Sequence, residues 1–317
     1  MYKIIGTGSY LPSKLITNDE LSKFVDTSDE WITERTGIKQ RYFVEDELTS
    51  DLAEKAALKA LEDANLTAEE LDLIIIATTT PDLTFPSTAA IVQHKLGAKN
   101  AMAFDVQAVC SGFIYGLSIA EGYFATKKVK NALVIGAESL SKLLDFEDRT
   151  TCVLFGDGAG AAILTATTEE DTSGLLRANI STKGEFTDLL KTTGGPGLSR
   201  DAGVITMQGQ EVFRHAVSNL KQVCLDLLAQ EGLDKSDIDL LIPHQANKRI
   251  IASTAKALSL KEEQVVITVD QHANTSAASI PLALDWANKQ GKINKGDLLL
   301  LEAFGAGFTF GGALIKW

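Results

Sequence analysis

The sequence predicts an α/β protein with two pseudo-equivalent halves, and three observations predict it. Helical and strand-like patterns alternate along all 317 residues. The strand-like runs are continuously apolar, as strands covered on both faces are. The chain also matches itself: LTAEELDLIII from Leu66 aligns without a gap on LDKSDIDLLIP from Leu233, ALVIGAES matches LLLLEAFG, and GAGAAILTA matches FTFGGALIKW. A match of this length reads as an ancient duplication. It places one half over 1–168 and the other over 169–317.

The elements follow in order. SDLAEKAALKALEDAN (50–65) has the periodicity of an amphipathic helix, and LDLIIIATTT (71–80) is a β-rich apolar run. SGFIYGLSIAEGYF, after Cys110, has the apolar content of a buried helix. ALVIGAE (132–138) and GAAILTA (160–166) read as buried strands. In the second half NLKQVCLDLLAQEG is an amphipathic helix, and DLLIP (239–243), LLLLEAF (298–304) and GGALIKW (311–317) are strands. The rhythm is the same in both halves.

Composition narrows the function. Hydrophobic residues make up 45% and charged residues 23%, as in a globular protein. No run approaches the ~20 apolar residues of a membrane span, and MYKIIGTGSYLP lacks the pattern of a signal peptide, so the chain is expected in the cytoplasm and not on a membrane. A formal charge of -12 disfavours nucleic acid as a general partner. Three cysteines (Cys110, Cys152, Cys224) without a CxxC pair argue against a disulfide framework and a zinc site. No metal constellation is present. FGDGAGAA runs into a strand rather than a helix, the wrong context for a dinucleotide turn.

What remains for a cysteine is burial or catalysis. Cys152 and Cys224 suit buried apolar positions. Cys110, in DVQAVCSGF, precedes ALVIGAE by nearly the distance at which Asn274, in HANTSAAS, precedes LLLLEAF. Both are expected at pseudo-equivalent helix N-termini, where partial positive charge favours a thiolate. Of four histidines, His244 in PHQAN follows a strand's C-terminal end, where α/β proteins place ligand sites. His94 and His215 are expected at the surface.

Together, AVCSGF, PHQANKRI, HANTSAAS, FGDGAGAA and EAFGAGFTFG resemble, in this order, the β-ketoacyl-acyl-carrier-protein synthase III family of the thiolase superfamily. The resemblance spans the chain from IIGTGSYLP through DTSDEWI and RTGI to GGALIKW. A Cys-His-Asn set, rather than the Cys-His-His of elongating synthases, favours an enzyme primed from coenzyme A. The resemblance implies a thiolase-like duplicated αβαβα five-layer architecture with two pseudo-equivalent halves, the first carrying the nucleophilic Cys and the second His and Asn. It implies acyl transfer from an acyl-CoA, acetyl-CoA by default, to Cys110. Decarboxylative condensation with malonyl-acyl-carrier-protein follows, His244 Nε2 and the Asn274 amide stabilising the enolate.

The same resemblance implies an oxyanion hole from the backbone amides of Cys110 and Ala306. Ala306 stands where the family commonly has glycine, and its amide survives there if φ is negative. It implies a coenzyme A channel of Thr27, Trp31, Arg35, Arg149, Phe213 and Asn247, with Trp31 and Arg149 sandwiching the adenine. Gln210 stands where the family has Asn. The resemblance also implies that Phe85 reaches across a homodimer to close the partner's acyl pocket, which Leu140 to Leu144 and Leu189 to Leu190 would shape. Arg249 and Lys256, on one helix face, form a basic dock for the acidic carrier protein, extended by Lys248 and Arg214. No cofactor is implied beyond the coenzyme A thioester that is the substrate. Two other readings share these motifs: a secondary-metabolite ketosynthase or hydroxymethylglutaryl-CoA-synthase-like enzyme, and a non-catalytic acyl-binding homologue.

Overall fold

The computed structural model describes residues 1–168 and 170–317; residue 169, the expected start of the second half, lies outside the described residues. In chain order the first half contains β1 (Tyr2–Tyr10), β2 (Lys14–Thr17), α1 (Asn18–Leu21), α2 (Asp29–Thr36), β3 (Gln40–Phe43), α3 (Thr49–Ala64), β4 (Leu73–Ala77), α4 (Thr88–Leu96), β5 (Met102–Val106), α5 (Gly112–Ala125), β6 (Asn131–Glu138) and β7 (Gly158–Ala166). The second contains β8 (Gly174–Thr182), β9 (Leu190–Thr192), β10 (Ile205–Met207), α6 (Gly209–Glu231), β11 (Leu240–Pro243), α7 (Lys248–Ala257), α8 (Val269–His272), α9 (Ser279–Lys289), β12 (Leu298–Gly305) and β13 (Thr309–Lys316). Every strand named above from the sequence is present.

One sheet has the order β1-β7-β6-β4-β5 and the other β11-β12-β13-β8. The missing fifth strand of the second sheet survives as one bridge, Leu241 to Val265. Helix α3 covers the outer face of the first sheet, α6 that of the second, and α5 and α9 lie between the sheets. This is a five-layer αβαβα stack. Its central core joins Phe113, Ile114 and Leu117 of α5 and Ile280 and Leu284 of α9 to both sheets.

Local sequence explains the close layers. Alanines and leucines of α3 (Leu52, Ala53, Ala56, Ala57, Ala60, Leu61) are buried at helical spacing. They lie directly on Gly8 of β1, where a Cβ would come within 2.3 Å of the Ala56 carbonyl oxygen.

Strand pairing corrects the internal alignment by one residue. Leu73 pairs with Ala132 and Leu240 with Leu299. Ala132 is thus the counterpart of Leu299, not of Leu298 as ALVIGAES against LLLLEAFG has it. Both strands are buried on both faces, so the apolar pattern does not mark the register, and a one-residue slip exchanges the faces.

Candidate active site

Cys110 lies in a single 3-10 turn, Val109–Ser111, that runs into α5. Val109 takes φ 48, and Ser276 takes φ 50 at the same place in the turn Ser276–Ala278 that runs into α9. A positive φ at a β-branched residue costs about 1–3 kcal/mol and persists only where the surroundings impose it. The counterpart of Cys110 is therefore Ala277, and Asn274 lies in the loop before the second turn. The expected equivalence of Cys110 and Asn274 does not hold: once Ala132 is matched to Leu299, the spacing to the next strand leads from Cys110 to Ala277, as the helix starts do.

The two turns press against each other. A Cβ on Gly112 would sit 3.2 Å from the Ala277 Cβ, and one on Gly136 only 2.1 Å from the Ala277 carbonyl oxygen. Glycine at 136 is a packing requirement.

Asn274 is 7% exposed and held by its backbone, its N–H donating to Leu154 O at 2.9 Å and its O accepting from Gly156 N–H at 3.0 Å. Its side-chain Oδ1 accepts from Ser276 N–H at 2.9 Å, and its amide hydrogens have no partner among the described residues. His244 follows β11, is 5% exposed, and donates its backbone N–H to Glu302 O at 2.8 Å. Burial pushes its pKa down to about 3, so the ring is neutral.

The loop after β12 closes on the Cys110 turn. Thr309 Oγ1 donates to Ala108 O at 2.8 Å, and Ser111 Oγ donates to Thr309 O at 3.1 Å. A Cβ on Gly305 would lie 2.9 Å from the Cys110 amide nitrogen. Ala306 has a negative φ and Gly307, at φ 128, takes the left-handed position. The conformational condition for alanine at 306 is met.

Burial pushes the Cys110 thiol up to about 12, against a smaller lowering from the nearby Ser276 hydroxyl. Burial thus disfavours the thiolate at this position. The Ser276 hydroxyl stands near both the thiol and the Glu138 carboxyl, with no well-formed hydrogen bond to either. Glu138 is fully buried; its Oε2 accepts from Thr79 N–H at 3.0 Å and from the Thr79 and Thr80 hydroxyls at 2.9 and 2.8 Å. Sequence reading missed Glu138, Ser276 and Glu302. The one available signal was an acid inside or closing a buried strand.

A cavity of about 930 Å³ reaches Cys110, Ser276 and Ala306 between walls that include Leu140, Phe155 and Leu190. Its other rim is Pro81–Thr84, beside Phe85, which is 82% exposed. Leu190 faces the cavity, whereas Leu189 packs with the Phe304–Phe308 cluster of the second half. Residues alternate in direction as the chain extends into β9, so the acyl-pocket assignment passes from Leu189 to its neighbour.

None of the expected channel residues lines this cavity; Trp31, Arg35, Arg149 and Asn247 gather elsewhere. Arg35 and Arg149 place their guanidinium carbons 4.6 and 5.2 Å from the Trp31 ring centre. The Thr27 hydroxyl is buried and has no hydrogen-bond partner among the described residues. Asn247 caps α7, its Oδ1 accepting from Arg249 N–H at 2.8 Å while Nδ2 donates to Arg35 O at 3.1 Å. Phe213 is partly exposed on α6.

Lys248, Arg249 and Lys256 are exposed on α7, with Arg249 also donating to Glu34 O at 3.1 Å. Arg214 is exposed and ion-paired to Glu211 at 2.5 Å. His94 is exposed as expected, but His215 is half-buried, its ring 4.3 Å from Phe186 and 5.4 Å from Phe308. The aromatic neighbours come from distant segments, invisible in the helix pattern around His215.

Comparison with known proteins agrees with this arrangement. Residues 104–184 match the family model described as 3-oxoacyl-(acyl-carrier-protein (ACP)) synthase III, and residues 228–317 its C-terminal model. The chain is 55% identical over 317 residues to β-ketoacyl-(acyl-carrier-protein) synthase III of Rhodospirillum centenum, covering 99% of this chain and 98% of the relative. It is 54% identical over 314 residues to the protein of that name from Ehrlichia canis, again covering 99% and 98%. The crystal structure of 3-oxoacyl-(acyl-carrier-protein) synthase III from Aquifex aeolicus superposes with a TM-score of 0.95 at 49% identity, covering 100% of both chains.

Proposed function

This chain belongs to the β-ketoacyl-acyl-carrier-protein synthase III family, and from that premise we propose how its residues divide the reaction. The chain is an acyltransferase, the initiating condensing enzyme of fatty-acid synthesis. Residues 1–168 form the half that carries the nucleophile and residues 169–317 the half that carries the histidine and asparagine.

Cys110 Sγ attacks the thioester carbon of an acyl-CoA, acetyl-CoA as the default primer. The oxyanion forms against the backbone N–H groups of Cys110 and Ala306, and coenzyme A leaves as its thiol, carrying the proton that Cys110 gives up as the acyl-enzyme forms. Malonyl-acyl-carrier-protein then loses carbon dioxide. His244 Nε2–H and the Asn274 amide hold the enolate oxygen, and its carbon attacks the acyl-cysteine, expelling the Cys110 thiolate and giving 3-oxoacyl-acyl-carrier-protein. No cofactor enters beyond the coenzyme A thioester. The observation that carries this reading is the cavity that ends on Cys110 and Ala306 while Asn274 turns its free amide hydrogens away from its own backbone.

The Trp31 face with Arg35 and Arg149 supports an adenine and phosphate site, since guanidinium groups stack on aromatic faces and pair with phosphates. Thr27, Phe213 and Asn247 extend that path. The open rim beside Phe85 supports a homodimer in which each Phe85 enters the partner's cavity, next to Leu140 and Leu190. The exposed cations Lys248, Arg249, Lys256 and Arg214 suit the acidic carrier protein. No helix among the described residues is long and apolar enough to cross a membrane, and we place the enzyme in the cytoplasm. The test is product analysis with malonyl-acyl-carrier-protein and acetyl-CoA against longer and branched acyl-CoAs. Acetoacetyl-carrier-protein as the main product supports the reading, and no 3-oxoacyl product with any primer contradicts it.

A further inference from the structure

A neutral imidazole carries one ring proton, and the nitrogen that holds it decides what the ring can do. A hydrogen-bond donor to an enolate needs the proton on Nε2. With the proton on Nδ1, Nε2 turns a lone pair toward the enolate and repels it.

The surroundings of Nδ1 settle which form is present. Nδ1 lies 2.6 Å from Ser279 Oγ, both side chains being buried. Ser279 Oγ also accepts from the backbone N–H of Gln245 at 3.2 Å. An amide N–H only donates, so one lone pair of the hydroxyl is taken, and the hydroxyl proton needs an acceptor of its own. Among the described residues, His244 Nδ1 is the acceptor within reach of it. Were Nδ1 protonated, Ser279 would face two donors and its own proton would be buried without a partner, which native interiors avoid.

Gln245 cannot swing away to relieve this order. Its Nε2 donates to Pro243 O at 2.8 Å and Val266 O at 3.1 Å. Its Oε1 accepts from Thr268 N–H at 2.8 Å and Val269 N–H at 3.0 Å. The amide is fully used and ties the strand end that carries His244 to α8, which leads into Asn274.

We infer that Ser279 is a positioning residue that holds His244 as the Nε2–H tautomer, making the ring a donor to the enolate and not the base that takes the Cys110 proton. The start of α9 then sets both donors, Asn274 through the Ser276 amide and His244 through the Ser279 hydroxyl. The consequence for catalysis rests on the role proposed above for His244; the tautomer does not.

The test is the ring-nitrogen NMR spectrum of protein labelled with 15N-histidine, assigned with His244→Gln, for wild type, Ser279→Ala and Ser279→Thr. Both half-reactions are measured alongside. Wild type should show His244 with a protonated Nε2 and an unprotonated Nδ1, and Ser279→Ala should raise the Nδ1–H form. Decarboxylation of malonyl-acyl-carrier-protein should then fall about 100-fold or more, as wrong tautomers do elsewhere, while acyl transfer to Cys110 stays near the wild-type rate. Ser279→Thr should restore the tautomer and the decarboxylation. A wild-type ring protonated on Nδ1 overturns the inference whether or not Ser279→Ala folds. A tautomer unchanged in Ser279→Ala overturns it too. A shifted tautomer with decarboxylation untouched overturns the donor role of His244 instead.

Discussion

The Asn274 carboxamide accepts a hydrogen bond from the Ser276 backbone N–H at 2.9 Å, which orients the side chain oxygen-inward and nitrogen-outward. Aspartate at 274 can accept the same bond, so the loop should keep its shape. It offers no donor and adds a negative charge where an enolate forms. Asn274→Asp should therefore lose about 100- to 1000-fold in malonyl-acyl-carrier-protein decarboxylation and retain acyl transfer from acetyl-CoA. Stopped-flow release of carbon dioxide and intact mass report the two steps separately.

Packing at the centre of the duplication gives a stability prediction. A Cβ at Gly136 would lie 2.1 Å from a backbone oxygen of Ala277, which cannot retreat as a side-chain tip can. Gly136→Ala should lower stability by about 3 kcal/mol, at the upper end of ordinary overpacking. Gly122, with nothing near its added Cβ, is the control: Gly122→Ala should not destabilise the fold, as urea melts of both variants would show.

Glu302 predicts a pH dependence of stability. Burial pushes its pKa up to about 8, above the value of about 4.3 for a free glutamate. The folded state then binds a proton that the unfolded state has lost, so the stability from protonated Glu302 is full below pH 4.3 and is lost as pH rises towards 8. His244, pushed down to about 3, works in the opposite direction and costs stability as pH falls below about 6.5. Comparison with Glu302→Gln isolates the carboxyl: the variant should gain melting temperature relative to wild type between about pH 4.3 and 8. A difference that does not change across that window contradicts the assignment.

Arg249 separates the two substrates. It is exposed on α7 and away from the cavity that reaches Cys110. Arg249→Glu should raise KM for malonyl-acyl-carrier-protein about 10-fold, in the range of a lost charge contact at an interface, and spare acylation by acetyl-CoA. Equal losses in both half-reactions would place the effect in the contact between Arg249 and Glu34 O rather than in docking.

The fold was legible because continuous apolar runs and one gapless match carry it. Leu66 onto Leu233 survives as the true correspondence, since strand pairing aligns Leu73 with Leu240. Motif order singled out Cys110, His244 and Asn274; their environments it did not show. Buried strands do not display register, so the match around Ala132 slipped by one residue; the nearly equal spacings matched for Cys110 and Asn274 added the rest of the displacement from Ala277. Ser276 stands near Cys110 and Glu138 of the first half, Ser279 meets His244 after β11, and Gln245 meets Val266, Thr268 and Val269, all neighbours distant in sequence. The raised thiol of Cys110 is likewise a property of burial, which a local helix-start argument does not contain.

The most direct measurement is the intact mass of the protein after incubation with acetyl-CoA, for wild type and Cys110→Ser, with peptide mapping of the label. The account predicts one acetyl group on wild type, mapped to Cys110, and none on the variant. An acetyl group mapped to Cys152 or Cys224, or retained in Cys110→Ser, would contradict it.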